Sequence, residues 1–134
     1  MKRNTSIPIL LALAAAATAS GVALAAGALD TSDIDTLLMQ DMERAVKNLE
    51  PSIGAKDKDR AARSAGVIAN GLEYVEAYFA EKGNADDAVQ FAKTAQTRAA
   101  AVRASLDAND FAAAAEAARS VAKSCRECHD AYRP

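Results

Sequence analysis

Apolar residues spaced alternately three and four positions apart constrain the fold of this chain more than any other feature of its sequence. In one stretch they fall at Ala61, Ala65, Ile68, Leu72, Val75 and Phe79. This spacing places every one of them on the same face of an α-helix. No stretch alternates between apolar and polar residues for long enough to indicate a strand. The sequence therefore predicts an all-α protein.

Similar apolar spacing recurs in three further stretches, of which the one that begins at Ala88 is weaker because it includes two successive steps of four. They are Met39, Met42, Val46, Leu49 and Ile53; Ala88, Phe91, Ala95, Ala99, Val102 and Leu106; and Phe111, Ala114, Ala118, Val121, Cys125, Cys128 and Tyr132. Because the breaks between the four stretches are short, consecutive helices should lie antiparallel, as in an up-and-down four-helix bundle. The last stretch predicts that both cysteine thiols face the bundle interior.

Turn and capping residues predict where each helix begins and ends. One of residues 30–33 is expected to cap the first helix, which then continues to the neighbourhood of Pro51 and Gly54. The second helix is expected over 57–82, ending at Gly83, and Asn84 is expected to cap the third. The "DAND" segment at 107–110 separates the third helix from a fourth that starts near Phe111.

The N-terminal segment has the pattern of a secretory signal peptide. Lys2 and Arg3 precede an apolar run over 7–17, and residues 23–25 (Ala-Leu-Ala) match the small-residue pattern of a cleavage site. The alternative is a membrane anchor, but the run is shorter than the ~20 residues that a spanning helix needs. We expect residues 1–25 to be removed on export to the periplasm, with contact with the membrane only during export. Residues 26–134 then form one domain.

Charge and motif content narrow the classes of function. The chain has 16 Lys and Arg against 18 Asp and Glu, and loss of Lys2 and Arg3 changes its net charge from −2 to −4. A mildly acidic chain without basic clusters gives no reason to expect nucleic-acid binding. It also has no nucleophile–base pair, glycine-rich phosphate loop or dinucleotide motif. We therefore predict that it is not an enzyme.

The motif "CRECH", from Cys125 to His129, contains both cysteines and the single histidine of the chain. C-x-x-C-H is the attachment motif of c-type haem. The two thiols lie on one helical face, within reach of the two vinyl groups of one porphyrin, and the next residue presents an imidazole to the iron. A Cys125–Cys128 disulfide, a thioredoxin-like redox pair and a zinc site are the alternatives. A disulfide would strain the helix, a redox pair needs a βαβ context, and a zinc site lacks a fourth ligand.

With "CRECHDAYR" at the end of an exported, alanine-rich four-helix chain, the sequence resembles the class II cytochromes c, which comprise cytochrome c-prime and its low-spin relatives. The likeness in helix order covers 26–134, and the specific matches are concentrated in 125–133. The resemblance implies a covalent haem c, with Cys125 and Cys128 as attachment sites and His129 as the proximal iron ligand. It also implies that Arg133 lies near a haem propionate.

The sixth coordination position of the iron decides between two functions of such a haem. The resemblance implies a distal ligand from the first helix, which is methionine in low-spin members, and that helix offers Met39 and Met42. We prefer Met39, with Met42 as the alternative, although both can be core fillers. Methionine ligation predicts single-electron transfer with periplasmic redox partner proteins, whereas an open position predicts binding of NO or CO. A haem-free, disulfide-containing binding module is a further alternative, and the family resemblance allows a homodimer.

Overall fold

In the computed structural model, which describes residues 29–133, the chain folds into four α-helices. They are α1 (Thr36–Gly54), α2 (Lys58–Lys82), α3 (Asp86–Asp107) and α4 (Phe111–Tyr132). No strand is present in this part of the chain, so the all-α prediction is confirmed. The predicted signal peptide, 1–25, lies outside the described residues. None of the helices within 29–133 is long and apolar enough to cross a membrane.

Local capping chemistry accounts for most helix ends. The side chain of Asp57 accepts a hydrogen bond from the Arg60 N–H at the start of α2, and Asp110 does the same for the first turn of α4. Gly83 ends α2 with a φ of +68°, a backbone conformation that glycine adopts without a steric penalty. These boundaries agree with the predicted ones.

Two predicted caps are wrong. Helix α1 is capped by Asp35, whose side chain accepts from the N–H groups of Leu37 and Leu38, and not by any of residues 30–33. Helix α3 follows Ala85, which makes no side-chain cap hydrogen bond. Asn84 has a φ of +53° and belongs to the turn that Gly83 begins, so it does not have the extended conformation of an N-cap.

The four helices surround one core. Helix α1 packs against α2 and α4, and α3 packs against the same two helices, which closes the bundle. The whole predicted stripe of α2 is buried. Alanine occupies much of the core of α3 and α4, and the larger side chains that fill it include Leu49, Ile68 and Leu106.

The other stripes are buried only in part. In α1, Met39 and Val46 are half-buried, and Phe91 is half-buried in α3. In α4, Cys125 and Cys128 are half-buried, whereas Ser124 is only 2% exposed. Cys125 nevertheless packs against the core, and both thiols line the space between the helices, so they face the bundle interior as predicted. Ser124 is the most buried residue at this end of α4.

Candidate functional site

A cavity of about 280 Å³ lies between the helices at the end of the bundle where α4 terminates. Apolar side chains of α2 and α3, including Leu72, Val75 and Phe91, form much of its wall. Exposed polar residues of α1, including Gln40 and Glu43, also line it. The cavity is therefore an apolar space with a polar, solvent-facing rim, which is typical of small-molecule and cofactor sites.

All the side chains that the sequence marks as candidate ligands line this one cavity. They are Met39 and Met42 from α1, Cys125, Cys128 and His129 from the end of α4, and Arg133, which directly follows α4. Residues more than 80 positions apart in sequence are thus brought together by the packing of α1 against α4. A second, more open cavity of about 640 Å³ lies along α1 and α2 and is lined by none of them.

The two thiols are free and electrically neutral in this environment. They are not joined in a disulfide. Burial raises the pKa of Cys125, and burial together with the neighbouring Cys125 raises the pKa of Cys128 to about 11. Both side chains therefore remain as thiols at neutral pH when nothing is attached to them.

The imidazole of His129 is also held in its neutral form. Burial lowers its pKa, and the positive charge of Arg133 lowers it further. A neutral imidazole has a free nitrogen lone pair, which is the form that binds a metal. The electrostatics of the cavity therefore favour the state in which His129 can act as a ligand.

The two methionines occupy different environments. Met42 is 7% exposed and lies against Gly71, where an added Cβ would overlap its sulfur and come within 2.5 Å of its Cγ. Its thioether therefore fills the space that the absent side chain of Gly71 leaves. Met39 is half-buried and packs only at the edge of the core. Of the two sulfurs, that of Met39 is the less committed to core packing.

The end of α4 is fastened to its neighbours by Tyr132. Its hydroxyl donates a hydrogen bond to Asp87 in the first turn of α3, and its ring lies 5.0 Å from that of Phe79, measured between centroids. Its backbone carbonyl accepts a hydrogen bond from the Thr31 hydroxyl at 3.3 Å. These contacts fix the helical turn that carries His129, and the position of Tyr132 three residues after that histidine was the only sequence signal for them.

The segment 29–35 lies across one side of the cavity, which the sequence did not indicate. Thr31 and Ile34 line the cavity. Lys82 Nζ binds the Asp30 carbonyl and an Asp33 carboxylate oxygen, each at 2.8 Å, and the Tyr78 hydroxyl donates to Asp33 at 2.5 Å. Because these contacts join residues 45 or more positions apart, no local pattern reveals them.

Comparison of the chain with family models, with curated proteins and with solved structures returned no match. The chemical interpretation of the cavity therefore depends on its own geometry.

Proposed function

We propose that this chain is an exported, monohaem c-type cytochrome that transfers single electrons between periplasmic redox proteins. The observation that carries the proposal is the shared cavity. The two thiols and the imidazole of the C-x-x-C-H motif open onto the same apolar space as a half-buried thioether from another helix. A haem c needs the two thiols and the imidazole together, and the thioether is available as a sixth ligand.

The donor set fits a haem group better than the alternatives considered. Two free thiols on one helical face can each add across a vinyl group, forming a thioether as the S–H proton passes to the second vinyl carbon. His129 supplies a neutral nitrogen ligand, and the guanidinium of Arg133 at the cavity supplies a partner for a carboxylate. The bound group would supply a one-electron couple at its iron.

Methionine ligation is proposed to come from Met39. Met42 already fills the space beside Gly71, and moving its sulfur to bind an iron would leave that space empty. Met39 lines the cavity without such a commitment. Thioether ligation raises the potential of a haem, which suits an electron carrier.

An open iron that binds NO or CO is the second candidate function. The packing of Met42 against Gly71 favours this candidate, because it shows one of the two methionines acting as a core side chain. The apolar wall of the cavity also suits small uncharged gases. This candidate differs from the first only in whether Met39 binds the iron, and the two predict different spectra.

The proposal includes an antiparallel bundle, as the short connections imply. Contacts between opposite helix ends support it. Lys58 at the start of α2 lies 3.9 Å from Asp107 at the end of α3, and Tyr132 at the end of α4 bonds Asp87 at the start of α3. The proposed cleavage after Ala25 would leave residues 29–35 close to the mature N-terminus.

The test is to express the full precursor in cells that have the maturation machinery for c-type haem. Covalent haem is detected by haem staining after denaturing electrophoresis and by the mass of the protein. Cys125→Ala and Cys128→Ala should each reduce or abolish stable attachment, whereas Thr97→Ala, at an exposed hydroxyl on α3, should not. Wild-type protein that matures without covalent haem refutes the proposal.

Absorption spectra of the purified protein then separate the two candidates. A reduced spectrum that is low-spin and unchanged by CO indicates methionine ligation and electron transfer. A high-spin spectrum that shifts on addition of CO indicates an open iron and gas binding.

A further inference from the structure

Arg98 of α3 is a half-buried cation that reaches across to α4 just before the C-x-x-C-H motif. Its guanidinium donates a hydrogen bond to the Ser120 carbonyl at 3.1 Å and another to the Ser124 hydroxyl oxygen. The role proposed for the motif uses neither contact.

The charge of Arg98 is not balanced by a carboxylate. Within residues 29–133, it takes part in no ion pair with an N–O distance of 4.0 Å or less, whereas Arg44 and Arg119 each pair with a carboxylate on their own helix. The partners of Arg98 are a carbonyl and a hydroxyl, which are neutral dipoles. In this part of the chain, no carboxylate within that distance therefore cancels its positive charge.

Ser124 connects this charge to the cavity. It is 2% exposed, lines the same cavity as the motif and directly precedes Cys125. The Ser124 oxygen accepts a hydrogen bond from Arg98, and its hydroxyl proton is left to donate to another group. A half-buried guanidinium bonded to a buried hydroxyl thus lies beside the wall to which the proposed haem is attached.

We propose that Arg98 raises the reduction potential of the haem group by holding an unbalanced positive charge behind Ser124. This inference rests on the proposed haem attachment. A one-electron centre carries one more positive charge when oxidised than when reduced, so a nearby cation disfavours the oxidised form. Net charge, burial and hydrogen bonding are the means by which a protein sets such potentials.

The expected size of the effect follows from Coulomb's law. At an effective dielectric constant of about 20, one unit charge acting over a distance on the order of 10 Å shifts an equilibrium by roughly tenfold. A tenfold change corresponds to about 59 mV for a one-electron couple. Removing the charge should therefore lower the midpoint potential by a readily measured amount.

The first comparison is Arg98→Gln against Arg103→Gln, which removes an equal charge from an exposed position on the same helix. Midpoint potentials are measured by spectroelectrochemistry at one ionic strength, on protein whose haem content and spin state match those of the wild type. We expect a shift of roughly tenfold towards the oxidised form in the first variant and little change in the second. Equal potentials in the two variants overturn the proposal.

A second comparison keeps Arg98 in place, in case its replacement prevents folding. Ser120→Asp puts a carboxylate beside the guanidinium, and Ser120→Asn is its neutral match. The aspartate variant should have the lower potential, and equal potentials in these two variants again contradict the proposal.

Thermal unfolding of all four variants shows whether a shift follows the charge or a loss of structure. Wild-type protein without haem overturns both this inference and the proposed function, whereas haem-loaded variants of unchanged potential overturn this inference alone.

Discussion

Replacing Gly71 with alanine tests the packing that distinguishes the two methionines. The new methyl group would overlap the sulfur of Met42 and lie 2.5 Å from its Cγ and 3.2 Å from its Cε. Met42 is almost fully buried with its thioether against Gly71, so the new methyl group forces that side chain out of its packed position. The substitution should therefore destabilise the bundle even though alanine is the better helix former.

Two opposing contributions set the magnitude. Replacing glycine by alanine inside a helix is worth about 1 kcal/mol in helix propensity. Overpacking a core by a methyl group costs about 1 to 3 kcal/mol. The expected net change for Gly71→Ala is a loss of about 1 kcal/mol. In a Met42→Ala background the overlap is absent, and the same substitution should stabilise by about 1 kcal/mol.

The assay is urea unfolding followed by circular dichroism, applied to the four members of this double-mutant cycle. Gly66→Ala is the matched control, because Gly66 lies in the same helix and a Cβ there has no atom within 4 Å. It should stabilise by about 1 kcal/mol in both backgrounds. If Gly71→Ala has the same effect with and without Met42, the two residues are not coupled and the packing argument is refuted.

Three further predictions concern the proposed methionine ligand, the segment 29–35 that lies across one side of the cavity, and the Asp110 cap of α4. In haem-loaded protein, Met39→Ala should give a high-spin spectrum that responds to CO. Met42→Ala should keep a low-spin spectrum but lose about 2 to 5 kcal/mol of stability in urea unfolding. The opposite pair of spectra would assign the ligand to Met42. The pKa of Asp33 lies below its ordinary value of 3.8, chiefly because the Lys82 ammonium donates a hydrogen bond to its carboxylate. The stability that this interaction gives the folded protein is therefore present above pH 3.8 and is lost as the pH falls through the lowered pKa of Asp33 in the folded state. Asp33→Asn should therefore destabilise the protein at neutral pH and should flatten the decline in stability below pH 3.8 in acid titrations of unfolding, and an unaltered pH profile would contradict the assignment. Asp110→Ala should cost about 1 kcal/mol in urea unfolding through loss of the α4 cap, and an unchanged midpoint would show that the cap contributes nothing.

Local patterns were sufficient to predict the helices. The apolar spacing located all four helices. The predicted ends of α2, at Asp57 and Gly83, agreed with the structure because capping and left-handed backbone conformation depend on the residue itself. The misplaced caps show where this reasoning stops. Asp35 caps α1 in place of the four polar residues at 30–33. The segment 30–34 is instead held by contacts with Lys82 and Tyr78 of α2.

The candidate site divides in the same way. The spacing of Cys125, Cys128 and His129 is a property of consecutive residues, and the sequence alone was enough to mark them as one unit. Only the tertiary structure placed Met39 at the same cavity and seated Met42 against Gly71. Those relations depend on how deeply each side chain penetrates between neighbouring helices.

The sequence by itself therefore determined which faces of the four helices are apolar and which residues form the C-x-x-C-H unit, because both follow from helical periodicity. The tertiary structure decided that Ser124 is the buried position beside the motif, and that Arg98 reaches it from α3. Periodicity fixes a helix face only to within the width of its apolar stripe. The rotation of each helix within that width is set by the side-chain volumes and hydrogen bonds of the helices packed against it.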